Sequence, residues 1–200
     1  MKLRLLDLVR QRNQYDCAVA CVASALCTTY EQVAHELPFD PSQPIIPEDN
    51  APPGVDLGRY YVATDEIVLL INLLGHTAIK VTAKQSMLLG LDATSDPLHD
   101  RWSAALLIDG EGLAFTIEDM GVPAIVLVDR MEVGSIHALV YDPAIGMVVD
   151  LSPSTTASVD PAITLQERPA ETYLTTNKVL EVVFVDPDLE KLRKTLNAYM

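Results

Sequence analysis

Basic residues are scarce in this sequence. Its 200 residues hold 14 Lys and Arg against 28 Asp and Glu, a formal net charge of −14. A nucleic-acid binder shows a basic stripe, and a protein that docks on anionic lipid shows a basic patch. Neither is present, so no nucleic acid and no membrane is expected as a partner. The acidity leans towards a basic or cationic partner, although it also serves solubility. Long apolar runs are lacking too. The longest are about seven or eight residues, too short to span a bilayer. The start, MKLRLLDLVRQRNQ, mixes charge into its apolar part and has no small-residue cleavage site, so it does not read as a signal peptide. The nine glycines are scattered and form no phosphate-cradling loop. Cysteine is limited to Cys17, Cys21 and Cys27. An odd number clustered on one helical stretch builds no disulfide framework, and reduced thiols in a cytoplasmic setting are expected. A zinc site would need further Cys or His at short spacing, so no metal and no cofactor is expected. Cys21 and Cys27 read as core residues.

What is abundant is apolar material, at 49% of the chain. That is enough for a substantial core in one domain spanning residues 1–200. Leu3 to Val9 reads as a short helix or strand. Cys17 to Cys27 reads as a buried helix, with Asp16 as its N-cap. Thr29 to Leu37 reads as a second helix capped by Thr28 or Thr29 and ended by Pro38. Pro38 to Pro53 holds six prolines and reads as an extended, ordered loop. Thr64 to Gly75 is a third helix, with Thr64 as cap and Gly75 as stop. A strand follows over His76 to Thr82, then a helix over Ala83 to Leu91 and a polar loop to Arg101. Ala104 to Asp109 fits strand or helix end, and Gly112 to Met120 a short helix or turn. Strand patterns then dominate: Pro123 to Asp129, Ser135 to Tyr141, Gly146 to Leu151 and Lys178 to Val185. Asp186, as N-cap, opens a last helix to Met200. Helices first and an antiparallel sheet afterwards make an α+β fold with the helices on one side.

Cys17 stands where a nucleophile is served well. A helix start carries unpaired N–H groups and a partial positive charge, which stabilise a thiolate. Gln11, six residues earlier, can swing its amide towards the cysteine and donate to a developing oxyanion. A buried, inert cysteine is the plain alternative. A nucleophile of this kind also needs a base and a group that orients it. His35, His76 and His99 read as surface residues. His137 lies in a strand that turns back on itself through DPAI, Asp142 to Ile145. If Tyr141 pairs with Gly146, paired numbers sum to 287 and His137 faces Asp150 directly. Their Cβ atoms would then be about 4.5–5.5 Å apart, within reach of a carboxylate–imidazole contact. The alternatives are a half-buried strand histidine and a strand-end turn aspartate.

Taken together, Gln11, Cys17, His137 and Asp150 in that order resemble the double-glycine leader peptidases, the papain-like cysteine peptidases that mature bacteriocins. TDEIVLLINLLGHTAIKV, VPAIVLV and IHALVYDPAIGMVVDLSP are similar to the family's helix–glycine–strand unit, pre-histidine strand and His/Asp strands. The likeness spans about residues 11–153, with residues 173–200 left as a strand and helix appendage. It implies a papain-like fold and an active site with Cys17 as nucleophile, His137 as base and then acid, Asp150 as orienter and Gln11 as oxyanion donor. Ala18 departs from the glycine usual after the cysteine. Pro153 stands three residues after Asp150, where the family often has proline next to the aspartate. The expected function is a stand-alone cysteine peptidase acting on a peptide or protein substrate, with a lean towards basic ones. A deamidase or acyltransferase would share the chemistry. A catalytically inactive papain-like module that binds a protein or peptide is the alternative of a different class. Nothing in the sequence sets an oligomeric state.

Overall fold

Strand pairing organises this chain. The computed structural model describes residues 6–12, 16–37, 62, 64–82, 116–130, 135–152, 166–169 and 179–199. They contain helices α1 (Cys17–Ala25), α2 (Tyr30–His35), α3 (Thr64–Leu73) and α4 (Leu189–Tyr199), with a further helical stretch at 116–120. The strands are β1 (Ala78–Thr82), β2 (Ala124–Arg130), β3 (Ser135–Asp142), β4 (Met147–Asp150), β5 (Gln166–Pro169) and β6 (Val179–Val185). They form one sheet in the order β1-β6-β2-β3-β4-β5, and every pairing is antiparallel. The architecture is α+β. Five of the strands lie where the strand-like apolar runs of the sequence place them, with ends moved by a residue or two. β5 carries no strand signal: its QERP is short, charged and closed by proline, the make-up of an edge strand.

Helices cover both faces of the sheet, not one. Val140, Val149, Ile125 and Val183 pack with α1, α2 and α3 in one core cluster. Leu139, Val126, Val182 and Phe184 pack with Ile117, Met120 and the α4 residues Leu192 and Leu196 in another. Double coverage explains why β2 and β6 read as nearly continuous apolar runs rather than alternating ones. The C-terminal strand is no appendage either. β6 lies between β1 and β2, paired with both.

Local details depart from expectation in instructive ways. Residues 6–9 form neither helix nor strand. α1 ends at Ala25, because Cys27 takes the left-handed conformation at φ 49°. The Thr28 N–H reaches Ala23 O and the Cys27 N–H reaches Ser24 O, which satisfies two end carbonyls. Cys27 is therefore exposed, not a core residue. α3 ends in the same motif with Gly75 at φ 88°, the Gly75 N–H on Asn72 O and the His76 N–H on Ile71 O. Thr29 closes a capping box with Gln32 at the start of α2. Thr64 is no cap: it is the first residue of α3, and its hydroxyl donates to the Glu181 carboxyl. Asp186 is no cap either. It has φ 47°, and its carboxyl holds the Thr77 N–H at 2.7 Å and His76 Nδ1 at 2.7 Å. Asp188 caps α4 instead, accepting from the Glu190 and Lys191 N–H groups at 3.0 Å each. The expected loop at 38–53, helix at 83–91, polar loop with His99, and segment at 104–109 lie outside the described residues.

Three stability outcomes follow. Cys27→Gly relieves a left-handed side-chain penalty and is expected to raise the unfolding free energy by roughly 0.5–1 kcal/mol, read by urea titration. Leu196→Ala, at 2% exposure, is expected to lower it by about 2–5 kcal/mol. Leu189→Ala, at 59%, is expected to change it by less than about 0.5 kcal/mol.

Candidate active site

Cys17 is the first residue of α1 and is buried. α1 packs on β3 and β2, which sets its N-terminus against the sheet. The segment before it is tied down by Ser24, whose Oγ accepts the Val9 N–H at 2.8 Å while donating to Ala20 O at 2.8 Å. Gln11 is 6% exposed and donates its backbone N–H to Leu151 O at 3.1 Å, beside Asp150. Among the described residues its Oε1 has no hydrogen-bond partner. A buried polar atom left this way carries a desolvation penalty and calls for an explanation, a role in catalysis being one.

His137 and Asp150 do meet, but not through the expected register. β3 and β4 pair Val140 with Val149, Tyr141 with Val148 and Asp142 with Met147. These numbers sum to 289, not 287. The connection has four residues, Pro143 to Gly146, with Gly146 at φ 69° and its N–H on Asp142 O at 2.9 Å. Glycine is thus the last residue of the turn rather than the first of the strand. Ala144 N–H on Asp142 Oδ1 at 3.0 Å tightens the same turn. A shift of two keeps every side chain on its original face, since strands alternate with period two. His137 and Asp150 therefore become diagonal neighbours instead of opposed ones, still within reach. His137 Nε2 lies 2.8 Å from Asp150 Oδ1. The Cys17 thiol lies close enough to the His137 side chain to raise its pKa. With Nε2 engaged by Asp150, Nδ1 is the nitrogen left for the sulfur.

Ser152 completes this set and carries no role in the sequence reading. Its N–H and its hydroxyl both donate to Asp150 Oδ1, at 2.9 and 2.6 Å. Only the Asx-type pattern of Asp150 two residues before Ser152 hints at this. Asp16, expected to cap α1, does not. Its Oδ2 accepts the Arg12 N–H at 3.1 Å and the Tyr30 hydroxyl at 2.8 Å.

The electrostatics follow from these contacts. Burial works against a charged His137 ring, but the hydrogen bonds to Asp150 and Cys17 outweigh it and raise its pKa to about 9. Burial likewise works against a charged Asp150, but His137 and the two Ser152 donors outweigh it and lower its pKa to about 2. Burial first, with neighbouring Cys17, Asp150 and Asp16 adding to it, pushes the Cys21 thiol well above its ordinary range. Cys21 is a buried core thiol. His35 ends α2, and His76 pairs with Asp186 at the surface, away from this cluster. Among the described residues no group of three His, Cys, Asp or Glu is placed to hold a metal ion. No helix of the described residues is long and apolar enough to cross a membrane. No family model matches the chain, and no curated protein matches it in sequence.

The pair makes stability depend on pH at both ends of the range. His137 rises from 6.5 to about 9 on folding, so its contribution is complete below pH 6.5 and lost as pH rises through 9. Asp150 falls from 3.8 to about 2, so its contribution is present above pH 3.8 and lost as pH falls through 2. Unfolding free energy is expected to fall by roughly 1–3 kcal/mol across the alkaline window. Asp150→Asn is expected to flatten most of that decline in urea titrations at stepped pH.

Proposed function

We propose that this chain is a cysteine peptidase with a papain-like fold and mechanism. The observation that carries the reading is the His137 ring, held by Asp150 at 2.8 Å through Nε2 and close enough to the Cys17 thiol for the sulfur to raise its pKa. At neutral pH the raised pKa keeps His137 an imidazolium, the partner that a thiolate at Cys17 requires. Cys17 Sγ attacks the carbonyl carbon of an amide. The oxyanion that forms takes hydrogen bonds from the Gln11 amide and the Cys17 N–H. His137 gives its proton to the departing amine nitrogen, and the carbon–nitrogen bond breaks. Water then attacks the thioester, His137 accepts its proton, the carboxylic acid leaves, and the Cys17 thiolate is restored beside the His137 imidazolium. Asp150, fixed by Ser152, keeps the ring in one tautomer and orientation throughout. Ala18 is buried in the core cluster around α1, so its methyl is taken up by packing. The substrate class is a peptide or protein, and the chain's net charge of −14 favours a basic one.

The test uses iodoacetamide at pH 6, where an ordinary thiol of pKa about 8.5 is almost wholly protonated. Cys17 is expected to be labelled well before exposed Cys27, and His137→Ala is expected to abolish that preference. Peptide release from fluorescein-labelled histone, a basic protein, is expected to stop in Cys17→Ala. Equal, slow labelling of all the cysteines would instead identify a papain-like module that binds without reacting.

A further inference from the structure

Asp16 is wholly buried beside Cys17, yet its side chain turns away from the helix it precedes. A carboxyl that capped α1 would set negative charge at the mouth of the helix, where an oxyanion has to sit. Turned back, the same group holds the Arg12 N–H and the Tyr30 hydroxyl on one oxygen. Tyr30 is itself held. It is the first residue of α2, behind the Thr29 capping box, and the Arg12 guanidinium stacks on its ring 3.9 Å from the centroid. The Arg12 guanidinium also pairs with Glu31. Arg12 is thus gripped at its backbone through Asp16 and at its side chain through Tyr30 and Glu31. Gln11, one residue earlier, is gripped at its own N–H by Leu151 O. The backbone on both sides of the Gln11 side chain is fixed, and its amide is what remains to answer a ligand.

We propose that Asp16 and Tyr30 are positioning residues that hold Gln11, through the Arg12 backbone, where it can donate to the oxyanion formed at Cys17. This rests on the peptidase reading and deepens it. α2 then serves the site without touching substrate. Carbonyl chemistry at Cys17 depends on this clamp, whereas displacement chemistry at the same sulfur does not, because no oxyanion forms in it.

Two probes separate those chemistries. With p-nitrophenyl acetate, Cys17 forms a thioester through a tetrahedral oxyanion and expels p-nitrophenolate. With iodoacetamide, Cys17 displaces iodide directly. Tyr30→Phe and Asp16→Asn are expected to slow the p-nitrophenolate burst about tenfold, as loss of precise placement does. In Tyr30→Phe, which leaves the charge of Asp16 in place, the Cys17 alkylation rate and its pH profile are expected to stay within about twofold, since the Cys17–His137–Asp150 contacts are untouched. Gln11→Ala is expected to slow acylation at least as much, and adding Tyr30→Phe to it is expected to have no further effect. A parallel fall in both rates, an unchanged burst in the positioning variants, or a further fall in the double variant overturns the proposal. An unchanged burst in Gln11→Ala overturns it as well, by removing the donor it serves. Wild-type Cys17 that alkylates no faster than Cys27 marks a different failure, that of the peptidase reading itself.

Discussion

The His137 imidazole has a partner on each side, and each partner comes from a different part of the chain. Cys17 arrives on the first helix, His137 on the third strand and Asp150 at the end of the fourth. A contact of 2.8 Å between Nε2 and Oδ1 tolerates little error in any of those placements. The sheet supplies the tolerance. β3 is paired on both sides, with β2 and β4, and α1 packs against it directly. Once α1 is seated, a rigid apolar core holds the sulfur and the ring in register.

Both faces of the sheet are closed by helices, so polar chemistry is pushed to the ends of elements. Cys17 begins a helix, Asp150 ends a strand, His137 lies near the start of one, and Gln11 sits in irregular chain. Hydrogen bonds run across that rim, from the Gln11 N–H to Leu151 O and from the Arg12 N–H to the Asp16 carboxyl. Residues borne on irregular or terminal positions over a rigid scaffold are the usual carriers of binding and reaction. Ser152 belongs to the same rim and pins the carboxyl that His137 meets.

Much of this was legible in the residues, because hydrophobic pattern records which segments are buried. The strands of β2, β3, β4 and β6 and the cores of α1 and α3 show in that pattern. The juxtaposition of His137 with Asp150 was legible through parity alone, since faces survive a two-residue shift even though the pairing itself did not. What escaped were choices between nearby polar groups of equal propensity. Asp186 and Asp188 both suit a helix cap, and only the tertiary contact of Asp186 with Thr77 decides between them. Asp16 suits a cap by position, but Tyr30 and Arg12 draw its carboxyl the other way. Likewise Cys27 looks apolar, while its left-handed backbone at the end of α1 turns it outward. Coverage of the second face was hidden because apolar strands say that they are buried, not by which helix.

The place of β6 has an effect on how the molecule comes into being. β2 carries the strand that braces His137, and its other neighbour is the strand running from Val179 to Val185. During synthesis the ribosome delivers β2, β3 and β4 long before that neighbour emerges. Until then β1 and β2 expose the edges that β6 will join, and neither can complete its hydrogen bonds. The sulfur and the imidazole are therefore brought to a settled distance only once the strand from Val179 to Val185 has emerged and joined β1 and β2.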